Sequence, residues 1–156
     1  MNLEAERLRA CCASPRWVDA MLAGAPYPSA AAVLDAAGRA LAALDWAEVE
    51  RALAEHPRIG ERAAGDGAAA RWSRAEQSAA ATGDPRLAAE LAEANLAYER
   101  RFGHVFLICA DGLPVEAVLA ALRDRLGNDP AAEREAVRAE LAKIVRLRLG
   151  RLVGAP

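Results

Sequence analysis

The chain has few aromatic residues, few cysteines and no long apolar run. Aromatic residues make up only 4% of its 156 residues, and cysteine occurs three times, as Cys11, Cys12 and Cys109, with no C-x-x-C pair. This usage fits reduced thiols better than a disulfide framework or a zinc site. No apolar run reaches the roughly 18 residues that a membrane-spanning helix needs. We therefore expect neither a disulfide-stapled protein nor a membrane-spanning one.

The charge balance argues against a nucleic-acid-binding protein. The formal net charge is -2, and the 20 basic residues are scattered among 22 acidic ones. A nucleic-acid-binding surface would need a basic field or stripe. The first ten residues, MNLEAERLRA, are charged and amphipathic rather than signal-like, and the ending RLVGAP lacks a Ser-Lys-Leu peroxisomal signal. We expect a cytoplasmic protein.

Composition and helix-start signals predict an all-α fold. Hydrophobic residues make up 54% of the chain, and many of them are alanine, which favours helices. Ser14, Asp84 and Asp129 each precede a proline, as N-caps commonly do. We predict a single domain over 1–156, with about eight helices near 2–12, 15–23, 29–43, 45–55, 73–82, 85–101, 114–126 and 130–149.

Two segments interrupt the helical pattern. The stretch 57–70 contains three glycines and is expected to be irregular. The run FGHVFLICADG, 102–112, is apolar, partly β-branched and bounded by glycines. It is consistent with an extended buried segment or with the tail of a helix.

His56 stands directly before Pro57, at the end of a predicted helix. A residue before proline is disfavoured in helical conformation, so the helix from Asp45 should end close to His56. A partly buried imidazole fixed beside a glycine-rich loop suits proton transfer at neutral pH. The alternative is a histidine that caps the helix carbonyls.

The segment RWSRAEQ, 71–77, offers Ser73, Glu76 and Gln77. S-x-x-E is the capping-box pattern, which would explain Ser73 and Glu76 as a helix start. The functional alternative has Glu76 accept hydrogen bonds from ligand N–H groups, with Ser73 and Gln77 beside it.

Arg148 falls within an apolar stripe of the last helix, whereas Arg146 points almost the opposite way. An arginine aimed into a core is costly unless it meets an anion or several acceptors. A structural carboxylate or an anionic substrate would satisfy Arg148.

Taken together, these stretches resemble the OHCU decarboxylase family, whose substrate is 2-oxo-4-hydroxy-4-carboxy-5-ureidoimidazoline (OHCU), an intermediate of urate breakdown. The resemblance covers nearly the whole chain, and HPRIGE followed by S-x-x-E-Q is its most specific part. The matching stretches are CCASPRWVDAM (11–21), HPRIGE (56–61), WSRAEQ (72–77), NLAYERRFGHVFLICADG (95–112) and AELAKIVRLRL (139–149).

The resemblance implies an all-helical, cofactor-free and metal-free enzyme, commonly a homodimer, that converts OHCU to (S)-allantoin. It implies catalytic roles for His56, Glu76 and Arg148. It also implies substrate contacts from Pro57, Ser73, Gln77, Val105, Phe106, Leu107, Ile108 and Cys109.

The chain departs from the family pattern at 111–114. The family usually continues there with a small residue, glycine, a basic residue and a hydroxyl residue, whereas this chain has Asp-Gly-Leu-Pro. Two other classes stay open: a non-catalytic helical binding module, whose His56, Glu76 and Arg148 would not converge, and a metal-dependent hydrolase that joins His56 and His104 to a carboxylate.

Overall fold

The computed structural model describes residues 2–61 and 63–154, and within these ranges the backbone forms eight α-helices and no strand. The predicted all-α class is thereby confirmed. The final residues 155 and 156, part of the ending RLVGAP, lie outside the described residues. The helices are α1 (Ala5–Cys11), α2 (Pro15–Ala23), α3 (Ala30–Ala42), α4 (Trp46–Leu53), α5 (Ala68–Glu76), α6 (Pro85–Phe102), α7 (Val115–Arg125) and α8 (Pro130–Val153).

The predicted N-caps begin their helices. The Ser14 hydroxyl accepts a hydrogen bond from Trp17 N–H at 3.2 Å, and Asp84 Oδ1 accepts one from Arg86 N–H at 2.9 Å. Asp129 Oδ1 does the same for Ala132 N–H at 2.8 Å. Each cap satisfies an N–H group that has no partner within its own helix.

The chain divides into two compact units. The first comprises residues 2–55 and 141–154 of the described chain, with α1–α4 and the second part of α8. Its core residues include Leu8, Trp17, Met21, Val33, Leu41, Val49, Leu141, Ile144 and Leu149. Trp17 links two of its helices, because Nε1 in α2 donates to the Ala37 carbonyl in α3 at 3.1 Å.

The second unit, His56–Glu140, contains α5–α7, the first part of α8 and a short 3₁₀ turn at Ser78–Ala80. Its core includes Ile59, Leu91, Tyr98, Phe106, Ile108, Val118, Leu119 and Leu122. Since the chain divides into two compact units, the single domain over 1–156 stays a prediction.

The apolar run after α6 is not a helix tail. The helix ends at Phe102, and Gly103 closes it with φ 79°, donating its N–H to the Glu99 carbonyl at 2.8 Å. A left-handed residue at this position is most easily a glycine. Residues 105–110 then form neither helix nor strand and bury Phe106, Leu107 and Ile108.

Candidate active site

His56 lies where the sequence predicts, just after the end of α4. The helix ends at Leu53 with Ala54 as its C-cap, and His56 sits in a bend directly before Pro57. Its side chain is partly buried. The pre-proline restriction accounts for a helix that ends before the histidine instead of running through it.

Side chains from two helices hold the loop that follows His56. Gln77 Oε1 accepts a hydrogen bond from Gly60 N–H at 3.0 Å, and Asn95 Nδ2 donates to the Ile59 carbonyl at 2.9 Å. Arg58 pairs with Glu99 at 2.9 Å. The loop backbone beyond Pro57 is therefore fixed at several points, and Asn95 is one of the residues that hold it.

The capping-box interpretation of Ser73 and Glu76 is wrong. Helix α5 begins at Ala68 after the N-cap Gly67, so Ser73 lies inside the helix and Glu76 is its last residue. The alanines at 68–70 are strong helix formers and extend the helix toward the N-terminus. Both Ser73 and Glu76 are about 94% buried, with 6% of each residue exposed.

Glu76 is an acidic side chain that ends α5 and is buried. Its charge reaches the 105–109 segment: burial is the largest cause that raises the pKa of Cys109, and the carboxylates of Glu140 and Glu76 raise it further. Glu76 and Cys109 thus share one electrostatic environment.

Two side chains anchor the backbone of the 105–109 segment. Arg125 Nη1 donates to the Leu107 carbonyl at 2.5 Å, and Glu140 Oε1 accepts from Cys109 N–H at 3.1 Å. The side chains of Phe106, Leu107 and Ile108 are buried in the protein. Substrate contact by the backbone of this segment stays a prediction, and the anchors show how that backbone is held.

Arg148 is buried in the first unit, with 4% of its surface exposed, and Arg146 is exposed. This confirms the orientation that the apolar stripe predicts. Arg148 Nη1 donates to the Ala10 carbonyl in α1 at 3.2 Å. The guanidinium also acts on Cys12, where burial raises the thiol pKa to about 11 and the charge of Arg148 opposes the rise.

The second unit contains a buried polar network that no motif in the sequence indicated. Glu133 is fully buried and accepts hydrogen bonds from Tyr98 and from Arg125, which is itself 8% exposed. A signal was present in the sequence: Glu133 precedes Val137 by four residues and lies on the stripe that contains Arg148. The helical spacing that places Arg148 on the inward face therefore places Glu133 there as well.

His104 belongs to an aromatic cluster. Its ring meets Tyr98 edge-on at 5.6 Å and stacks on Phe102 at 6.2 Å, and its Nδ1 lies 3.1 Å from the Val105 carbonyl oxygen. Across residues 2–61 and 63–154, no three or more His, Cys, Asp or Glu side chains are grouped as a metal site would require.

Comparison with known families identifies the chain. The model of the OHCU decarboxylase family matches residues 3–150. The chain belongs to this family. The resemblance carried by HPRIGE and S-x-x-E-Q is confirmed.

Two named relatives support the OHCU decarboxylase assignment. The uric acid degradation bifunctional protein TTL of Arabidopsis thaliana is 34% identical over 97% of this chain. The 2-oxo-4-hydroxy-4-carboxy-5-ureidoimidazoline decarboxylase of Amia calva is 34% identical over 88% of it. The chain spans 48% of the Arabidopsis protein and 79% of the Amia enzyme.

Solved structures confirm the OHCU decarboxylase fold. A crystal structure of OHCU decarboxylase in the presence of (S)-allantoin matches with a TM-score of 0.82 and 28% identity, covering 96% of this chain and 98% of that one. A crystal structure of (S)-allantoin synthase matches with a TM-score of 0.73 over 96% of this chain and 49% of that one. At 17% identity, the second match bears on the fold alone. Among the described helices, none has the length and apolarity to cross a membrane.

Proposed function

We propose that this chain decarboxylates OHCU to (S)-allantoin in urate degradation, without a cofactor. Membership of the OHCU decarboxylase family supports the reaction, as does the related enzyme crystallised with (S)-allantoin. The structural observation that carries the proposal is the placement of Glu76, buried at the C-terminal end of α5. A buried acidic side chain is uncommon in proteins, and Glu76 is therefore a candidate to accept hydrogen bonds from substrate N–H groups.

The substrate supplies its own electron sink. OHCU carries a carboxylate and a hydroxyl on one ring carbon, beside a ring imine. When the bond to the carboxylate breaks, its electron pair moves toward that imine and carbon dioxide leaves. The resulting enol or enolate must then take a proton on one face to give (S)-allantoin. The protein is left with the tasks of binding, charge stabilisation and proton transfer.

We assign these tasks to three residues. His56 handles the proton, either removing it from the hydroxyl as carbon dioxide leaves or delivering it to the carbanionic carbon. Arg148 stabilises the anion, which is the substrate carboxylate or the enolate oxygen. Glu76 accepts hydrogen bonds from the ring or ureido N–H groups and thereby sets the face that is protonated.

The remaining contacts are proposed to orient the ring. Pro57 fixes the backbone of the histidine, and Ser73 and Gln77 lie on the same helix end as Glu76. The backbone of 105–109 supplies further hydrogen bonds. Since the chain has Asp-Gly-Leu-Pro at 111–114, we propose that it lacks the contact that a basic and hydroxyl pair makes there.

We further propose that the protein is a homodimer in the cytoplasm. The dimer is what the family resemblance implies, and the cytoplasmic compartment is the expectation drawn from the sequence. A helical binding module without turnover is the second candidate, and the experiment below separates it from the decarboxylase.

The test generates the unstable substrate from urate with urate oxidase and hydroxyisourate hydrolase, then follows the optical activity of the allantoin formed. Spontaneous decarboxylation gives a racemic product, so the signal reports catalysis and stereocontrol together. We expect rapid formation of one enantiomer that is lost in His56→Ala. Racemic product at the uncatalysed rate from a folded sample would refute the decarboxylase and leave the binding module.

A further inference from the structure

The ion pair between Arg125 and Glu133 is unusual in its burial. Glu133 is fully buried, and the shortest bond of the pair, from Nη2 to Oε2, measures 2.6 Å. Arg125 Nε also donates to both carboxylate oxygens, at 3.2 and 2.9 Å. Tyr98 and Asn128 complete the carboxylate's hydrogen bonds. Glu133 thus receives donors from α6, from α7 and from the loop before α8.

Stability alone does not account for such a pair. Moving two charges out of water costs several kcal/mol per ion, and well-packed apolar residues of similar volume are often as stable or more stable. A further role of the pair is therefore to be found in the other groups that the Arg125 guanidinium contacts.

Arg125 also contacts the 105–109 segment. Its Nη1 donates to the Leu107 carbonyl at 2.5 Å, and its guanidinium carbon lies 4.5 Å from the centroid of the Phe106 ring. The planar fork uses one face for the ring, one edge for Glu133 and its remaining nitrogen for the segment backbone. Lysine, with a single nitrogen, cannot make all of these contacts together.

We propose that Arg125 is a positioning residue, which Glu133 orients so that it fixes the backbone of 105–109 in the conformation that binds substrate. The inference rests on the proposed function, because that function gives the 105–109 backbone its role. Glu133 acts through Arg125, and Tyr98 and Asn128 act through Glu133.

The test replaces the pair with apolar residues of similar size, Arg125→Met with Glu133→Leu. The first measurement is the rate at which iodoacetamide alkylates Cys109, read by peptide mass spectrometry. Cys109 is partly exposed and lies in the segment, whereas Cys11 and Cys12 are buried. We expect the folded double variant to alkylate roughly tenfold faster at Cys109, because a released segment exposes the thiol more often.

The second measurement is turnover with the coupled urate assay. We expect kcat/KM to fall roughly 10- to 100-fold with a lower enantiomeric excess, since small misplacements of binding groups have effects of this size. The enantiomeric excess is taken after subtracting the racemic product of spontaneous decarboxylation, so a general loss of folded protein lowers the amount of enzymatic product but not its excess. Arg123→Met is the matched control, because Arg123 is an exposed arginine of the same helix that pairs with Glu90 at 3.4 Å. Both readouts should match wild type in this control.

A folded double variant with wild-type alkylation, turnover and enantiomeric excess would overturn the inference. If the double variant does not fold, Arg125→Lys is measured in the same way, and unchanged values in that variant overturn the inference equally. If the wild-type protein itself shows no turnover, the proposed function fails, and the alkylation rates decide whether Arg125 orders the segment.

Discussion

The carbonyl oxygen of the Gln77 side chain accepts the backbone N–H of Gly60 at 3.0 Å. This bond joins the end of α5 to the loop that follows His56. Because Glu76 precedes Gln77 directly, the carboxylate and the histidine loop are tied to the same short piece of backbone. The predicted substrate contact of Gln77 stays a prediction, and the structure adds a role in holding the loop.

Gln77→Ala removes the acceptor and should loosen the loop. We expect turnover to fall by about tenfold, while the free energy of unfolding falls by only about 1 kcal/mol, as is usual for a single hydrogen bond. Ser78→Ala is the control, since Ser78 is the exposed next residue and its hydroxyl donates to the Ala75 carbonyl at 2.7 Å. Steady-state kinetics and urea denaturation of both variants check this, and equal losses in the two variants would contradict it.

His56→Ala should abolish nearly all turnover with little change in melting temperature. General acid–base residues contribute roughly 10²- to 10⁴-fold to rates, and a partly buried side chain in a bend contributes little packing. His104→Ala is the matched control, which should lower the melting temperature through lost ring contacts and keep turnover. A large loss of stability in His56→Ala would favour the capping role instead.

Glu76→Gln should separate activity from stability. The amide keeps the size of the side chain and one acceptor oxygen, so the free energy of unfolding should stay within about 1 kcal/mol of wild type. Turnover or the enantiomeric excess should fall sharply. Thermal unfolding and the optical assay measure the two effects, and a stable variant with normal turnover would remove Glu76 from the mechanism.

Arg148→Lys should reduce kcat/KM by roughly 100-fold, because a point charge does not reproduce the fork that stabilises an oxyanion. Some stability should also be lost with the bond to Ala10, on the order of 1 kcal/mol. Arg146→Lys, on the exposed face, should change neither property. The reverse pattern in the kinetics of the two variants would show that Arg146 is the anion ligand.

Acid should weaken the protein through Glu133. Burial alone would raise the pKa of this carboxyl, but hydrogen bonds from Arg125, Tyr98 and Asn128 outweigh burial and hold the pKa below its usual value. The stabilisation is therefore complete above the unfolded-state pKa of about 4.3 and is lost as the pH falls through the native pKa.

Glu133→Gln tests this pH dependence. It should be less stable than wild type by about 3 kcal/mol at pH 7, because a buried arginine loses its counter-ion. The difference should shrink below about pH 4, where the wild-type carboxyl begins to take up protons in the unfolded state. Urea denaturation from pH 3 to 7 measures it, and a difference independent of pH would contradict the assignment.

Much of the fold was predictable because its signals are local. Ser14, Asp84 and Asp129 mark helix starts by side chains that act within one turn. The inward orientation of Arg148 was also predictable, since helical periodicity alone sets it. The same periodicity places Glu133 on the inward face, so its burial was predictable, whereas its partner Tyr98, 35 positions away in sequence, was not.

The failures came from competition between local signals and from contacts distant in sequence. At Ser73, the capping pattern competed with the alanines at 68–70, and the alanines set the start of α5. The bond between Asn95 and Ile59 joins residues 36 positions apart. No pattern within one helix reports such a partner, so the role of Asn95 needed the structure.

The loop before α5 carries a constraint on its length. Arg74 Nη1 donates to the carbonyls of Ala63 and Gly65, both at 2.9 Å, and Arg71 donates to the carbonyl of Asp66. Surface loops commonly accept insertions during evolution. Here an added residue between 63 and 66 would shift carbonyls away from arginines that the helix holds in place. Insertions, whether natural or engineered, should therefore be better tolerated at other positions in the chain.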